Sequence, residues 1–145
     1  MSKNWVKDIN KMHAHYGVHE ALSQLDADKL RTFLKFRVDF LQEELDEMRT
    51  ALEAGDDVAG LSANRAEDVV DALVDLCVVA IGTLDAFGVN SHKAWDEVLK
   101  ANMKKKVGVK ETRPNPLGLP DLIKPEGWKA PSHAGNHGAL TEVFE

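Results

Sequence analysis

The stretch Val69-Val70-Asp71-Ala72-Leu73-Val74-Asp75-Leu76-Cys77-Val78-Val79-Ala80-Ile81 decides the fold. Val, Ala, Leu, Cys and Ile fill almost every position, so a helix here is apolar on every side, and such a helix is expected to be buried on every side. It starts near Ser62 or Asn64 and stops at Phe87-Gly88, a usual C-terminal signal. Only other elements packed around it can supply that burial. Its two aspartates, with Asp68 one turn earlier, all lie on one helical face.

The neighbouring segments read as those elements. Upstream, Leu34, Val38, Leu41, Leu45, Met48 and Leu52 recur at steps of four and three, one apolar seam on a long helix. Asp26 or Asp28 caps it, and it runs to Gly55, ahead of the loop Gly55-Asp56-Asp57-Val58-Ala59-Gly60. A first helix spans about Asn4 to Tyr16, with Trp5, Ile9 and Met12 at helical spacing and Gly17 as its stop. A last helix runs from Ser91 to about Lys106. Residues 1–106 contain no proline, whereas all five prolines and five of the ten glycines follow. The sequence therefore predicts an all-α protein, a four-helix-type bundle over 1–106, with an irregular Pro/Gly-containing tail over 107–145. Leu117, Leu119, Leu122, Ile123 and Trp128 suit that tail to packing on the body or on a neighbouring subunit.

Composition narrows the setting. With 145 residues the chain is one domain's worth, and 43% hydrophobic residues suffice for a core. Lys and Arg number 18 against 24 Asp and Glu, a net charge of −6 that argues against a dedicated nucleic-acid binder. The single cysteine, Cys77, permits no internal disulfide and suits a reducing compartment. No apolar run is long enough to cross a bilayer, and no secretion signal opens the chain, so a cytoplasmic protein without membrane partners is expected.

The acids carry the chemistry. In Glu43-Glu44-Leu45-Asp46-Glu47, Glu44 and Glu47 lie on one flank of the apolar seam with Glu43 beside them, whereas Asp39 and Asp46 fall on the far side. Across the interface stand Asp68, Asp71 and Asp75. Carboxylates buried without partners cost several kcal/mol in realistic terms. Either Arg37 or Arg65 compensates them, or a cation bound by both helices does. Lys35, Arg37 and Arg49 are too few mid-helix cations to neutralise the group. Oxygen-only ligands favour Mg²⁺ or Mn²⁺, and Mg²⁺ usually keeps waters and takes substrate phosphates, which points to metal-assisted cleavage of a phosphate ester or anhydride.

Lys100, Lys104, Lys105, Lys106 and Lys110 form the densest positive run, with Asn102 inside it and Arg113 beyond. They suit a helix C-terminus, and equally a counter-charge for polyphosphate. His13, His15 and His19 are poor zinc ligands, since His13 and His15 point to different faces and no cysteine accompanies them. Phe33, Phe36 and Phe40 read as core packing rather than a base-stacking wall, and Cys77 as an inert core residue.

Glu43-Glu44-x-x-Glu47, the paired Asp71 and Asp75, and Asn102-Met103-Lys104-Lys105, in this order, resemble the all-α NTP pyrophosphatase superfamily. That group includes MazG-like enzymes, dimeric dUTPases and phosphoribosyl-ATP pyrophosphohydrolases, and the chain looks most like its small phage-type members. The resemblance covers roughly residues 5–106 and, weakly, the turn Lys124-Pro125-Glu126-Gly127-Trp128. It departs where the second motif should carry Glu: Ala72 stands there, and Asp71, or Asp68 paired with Asp71, takes that place.

The resemblance implies hydrolysis of a (d)NTP to the monophosphate and pyrophosphate in the presence of Mg²⁺, by a homodimer or homotetramer. Glu44, Glu47 and Asp75 would hold the metals, with Glu43 and Asp71 completing the shell or orienting water, and one of these carboxylates acting as general base. Lys104, Lys105 and Asn102 would grip the phosphates, and Arg37 belongs with them as a substrate contact. Phosphoribosyl-ATP or a deoxyuridine nucleotide is the alternative substrate. A non-catalytic oligomerisation module with a structural metal site is the rival from another class.

Overall fold

A computed structural model describes residues 3–53, 65–113 and 115–144. The protein is mainly helical, as expected. Helix α1 (Trp5–His15) begins where the Asn4 side chain accepts from the Lys7 N–H at 3.1 Å, and a short α2 (Val18–Ser23) follows the left-handed turn at Gly17. Helix α3 (Ala27–Glu53) is capped by Asp26, whose Oδ1 accepts from the Lys29 N–H at 2.9 Å. Helix α4 (Arg65–Ala86) ends at Gly88, whose φ of 72° lets the Val89 N–H reach back to the Leu84 carbonyl. Helix α5 (Ser91–Asn102) comes next, then a two-stranded antiparallel ladder of β1 (Lys106–Gly108) and β2 (Asp121–Ile123), and finally α6 (Leu140–Phe144). The proposed helix start at Ser62 or Asn64 and the loop Gly55–Gly60 lie outside the described residues.

Contacts divide the chain into two compact units, Met1–Ser91 with His137–Glu145, and His92–Asn136. In the first, α3 and α4 form the most extensive helix pair, α1 packs on α4, and α6 lies on α3. Leu30, Phe87 and Val143 form the fully buried centre, surrounded by Leu22, Leu25, Phe33, Leu34, Val89, Ala139 and Leu140. The chain's last turn is thus part of the core. Arg31 holds it by donating to the Val143 carbonyl at 2.6 Å.

Gly138 makes this seat possible. Its φ is 53°, and a Cβ there would overlap the Phe87 carbonyl oxygen, which accepts from the Ala139 N–H at 2.8 Å. Gly138→Ala is therefore expected to cost about 2–3 kcal/mol in urea unfolding, through strain and the displaced hydrogen bond. Gly135→Ala has φ 74° at the wild-type residue but open space around it. That control should cost about 1 kcal/mol. Equal losses would show that the overlap is relieved cheaply.

Five local expectations change. Helix α4 is not enclosed: Ala72, Val79 and Gly82 are buried, but Val70, Leu73 and Val74 are 59%, 48% and 42% exposed. Helices α3 and α1 cover only part of its circumference. The α3 seam is likewise half open, since Val38, Leu45 and Leu52 are exposed while Leu30 and Ala51 are buried; Phe36 is exposed too, so the aromatic row is not all core. Helix α5 stops at Asn102 instead of reaching Lys106. The Ala101 carbonyl, which one more turn would need, accepts from Trp128 Nε1 at 2.8 Å and from the Lys104 N–H at 3.2 Å. The tail, expected to be irregular, holds two three-residue strands and the five-residue α6, with turns and coil between.

Candidate active site

Helices α3 and α4 bring acids together along their shared interface. Glu44 points inward from α3, and its Oε2 is buried without a hydrogen-bond partner. Burial first, then the charges of Glu47, Asp75 and Glu43, hold its carboxyl above the usual range. Three of the four carboxylates therefore come from α3 and one from α4, with Glu43, Glu47 and Asp75 all acting on Glu44. In the first turn of α4, Asp68 Oδ2 is also buried with no hydrogen-bond partner. Asp71 is exposed and is not among the charges acting on Glu44. At the position of the departed family glutamate, Ala72 is only 2% exposed, its methyl group filling the helix interface.

Two buried carboxylate oxygens facing no proton donor are costly. Every one of these acids offers oxygen and none offers sulfur or imidazole, which is the ligand chemistry of a hard divalent cation. The residues present fit Mg²⁺ or Mn²⁺.

Arg37, on α3, does not neutralise these acids. It donates from Nε to Thr83 Oγ1 at 3.0 Å and from Nη2 to the Val79 carbonyl at 3.0 Å, and its guanidinium sits over the Phe33 and Phe40 rings. Burial lowers its pKa. Two hydrogen bonds leave further N–H donors of the five in a guanidinium. Gly82 lets Arg37 close on α4: a Cβ there would lie 2.6 Å from Arg37 Nη2 and 3.2 Å from the His13 ring.

His13 belongs to an arrangement that spacing does not reveal. His13 Nδ1 and His19 Nε2 both donate to Asp85 Oδ2, at 2.8 and 2.7 Å, and Asn10 Nδ2 donates to Oδ1 at 2.8 Å. Burial alone would raise the Asp85 pKa; the hydrogen bonds from Asn10, His19 and His13 together outweigh it and leave the pKa lowered. The ligating atoms of the three residues lie within 4.8 Å of one another, close enough to hold an ion. Their mutual hydrogen bonds already satisfy the carboxylate, and the cluster ties α1, α2 and α4 together. Nothing in the sequence announces it, because His13 and Asp85 are 72 residues apart.

Asn102, Lys104 and Lys105 lie in the second unit, at the end of α5 and the approach to β1. Lys105 Nζ stands 5.2 Å from the centre of the Trp128 ring.

The family model described as phosphoribosyl-ATP pyrophosphohydrolase matches residues 20–102, more than half of the chain and all of α3, α4 and α5. No curated protein matches the chain.

Proposed function

Because the chain belongs to the phosphoribosyl-ATP pyrophosphohydrolase family, and so is a hydrolase of phosphoric anhydrides, we propose that it is a Mg²⁺-dependent pyrophosphohydrolase converting a (d)NTP and water to the (d)NMP and pyrophosphate. The observation that carries this reading is the orphaned Glu44 Oε2, pressed against the charges of Glu47, Asp75 and Glu43. Glu43, Glu44, Glu47 and Asp75 would hold the ion, with Asp71 or Asp68 completing the set. Bound there, Mg²⁺ supplies Lewis-acid polarisation of a phosphoryl oxygen.

The chain's own groups do the rest. A carboxylate of the cluster accepts the proton of the attacking water. Lys104, Lys105, Asn102 and the spare N–H groups of Arg37 bind phosphate oxygens. The family description favours a second substrate for the same acids, phosphoribosyl-ATP.

The chain self-associates as a dimer or tetramer in this reading. Support comes from the open α4 face, where Val70, Leu73 and Val74 form an apolar strip beside the acids. No helix among the described residues is long and apolar enough to cross a membrane. With the lone Cys77 free, the composition suits the cytoplasm.

The test is a panel of dNTPs, NTPs and phosphoribosyl-ATP incubated with Mg²⁺ and assayed for pyrophosphate and orthophosphate separately. Pyrophosphate with the matching monophosphate product is expected for at least one substrate. Orthophosphate release, or no turnover across the panel, would overturn the reading.

A further inference from the structure

The second unit contains a basic pocket that the acids of the first do not explain. Lys104, Pro125, Glu126, Gly127, Trp128 and Lys129 line a cavity of about 390 Å³. The Trp128 ring is fixed in it by the hydrogen bond from Nε1 to the Ala101 carbonyl. Two more lysines attend that ring, with Lys105 Nζ at 5.2 Å and Lys124 Nζ at 5.1 Å from its centre. Two ammonium groups thus stand at the indole, and two further lysines line the cavity with the carboxylate of Glu126. Among the described residues none of the four lysines forms an ion pair with a carboxylate.

That concentration of like charge has a physical consequence. Cation–π attraction is worth roughly 0.5–1 kcal/mol at an exposed site, enough to orient two ammonium groups but not to cancel their repulsion of each other and of Lys104 and Lys129. An oxyanion with several charges removes the repulsion and accepts from several ammonium donors at once. A nucleobase does not fit this role, since the ring it would stack on already carries two lysines.

We propose that the Trp128 pocket is an anion site for a polyphosphate group, either free pyrophosphate or the triphosphate tail of a nucleotide, with Lys124 and Lys129 joining Lys104 and Lys105. The identity of the anion rests on the pyrophosphohydrolase reading, while the pocket itself rests on its lysines and cavity.

Trp128 can report on this site directly. In the full chain carrying Trp5→Phe and Trp95→Phe, Trp128 is the remaining tryptophan of three. Its emission would be titrated with inorganic pyrophosphate in EDTA, so that the acidic cluster, deprived of metal, takes no part. A saturable change at sub-millimolar pyrophosphate is expected, weakened at least about tenfold by Lys124→Ala with Lys129→Ala and by raising salt to about 0.5 M. Far-ultraviolet circular dichroism of the lysine variants should match the parent, and a charge-keeping Lys129→Arg should restore most of the binding. A dNTP arm in EDTA separates the two sources: both belong to the proposal, and the tighter one names the physiological anion. Absence of a saturable change, an unaltered titration in the lysine variants, or tighter binding of a single-stranded oligonucleotide than of pyrophosphate would overturn it. Binding without any hydrolysis in Mg²⁺ would sink the proposed function and leave this site standing.

Discussion

Glu44→Gln is expected to reduce pyrophosphate release by about 10³-fold or more while making the metal-free protein melt higher. The two effects have one cause. In the folded chain the Glu44 carboxylate is deprived of water at Oε2, has no donor there, and faces Glu47, Asp75 and Glu43. Removing its charge relieves like-charge repulsion that costs a few tenths of a kcal/mol per pair, a rise of about 1–2 °C in a chain of this size. A ligand carboxylate, by contrast, contributes several kcal/mol to a metal-assisted transition state, and about 1.4 kcal/mol is a factor of ten in rate.

Calorimetry in EDTA and then in Mg²⁺ checks both halves. The wild type should gain stability on adding Mg²⁺, by mass action on the folded state, and the variant should gain little. A conventional structural carboxylate would give the opposite pattern in EDTA, a lower melting temperature for the glutamine variant. That outcome, or a Mg²⁺-induced rise equal to the wild type's, would remove Glu44 from the metal site. Glu47→Gln is a useful companion because Glu47 is exposed. Its loss should cost activity with a smaller gain in metal-free stability, since it removes one of the three repulsions on Glu44 and leaves the buried carboxylate in place.

The sequence carried the acids well and their environment poorly. Spacing alone puts Glu44 and Glu47 on one flank of α3 and groups Asp68, Asp71 and Asp75 on one face of α4, because three and four residues are about one helical turn. The Asp26 cap and the Gly88 stop were legible for the same local reason: each acts on groups within five residues of itself. Burial was less so. Val70, Leu73 and Val74 have the composition of a core, yet a single chain leaves them open, since composition does not say which chain supplies the partner. The difference between Asp68, with an orphaned oxygen, and exposed Asp71 depends on the rotation of α4 against α3, which spacing leaves undecided.

Features built from distant segments were not legible at all. The six residues of α2 are too few to show a period. The early end of α5 depends on Trp128, 27 residues from the carbonyl it binds. The seating of α6 depends on Phe87 and Gly138 meeting across the core. The sequence makes His13, His15 and His19 poor zinc ligands, since His13 and His15 point to different faces and no cysteine accompanies them. The actual partner of His13 and His19 is a carboxylate from the far end of α4, and the arrangement is explained by hydrogen bonding without an ion.

Asp85→Asn should destabilise the protein by about 2–3 kcal/mol at neutral pH, because it breaks charge-assisted hydrogen bonds in a place with little water. The Asp85 side chain is 9% exposed and that of His13 is 6%. The substitution leaves no cavity, so the loss reports on hydrogen bonding. An asparagine can accept on one side only, and its NH₂ group must face either the two histidine donors or the Asn10 donor.

The pH dependence gives the sign. The folded pKa of Asp85 is lowered. A carboxyl of this kind binds more protons unfolded than folded, so its contribution is fully present above the unfolded value, near 3.9, and disappears as pH falls through the lower folded value. The stability gap between wild type and Asp85→Asn, measured by urea unfolding at intervals from neutral pH into this acid range, should therefore hold steady down to about pH 4 and narrow below it. Glu44 titrates in both proteins alike and cancels from the difference. A gap that stays constant into strong acid would mean that Asp85 stabilises the fold by shape rather than by charge, and that the clamp joining α1, α2 and α4 does not depend on an ionised carboxylate.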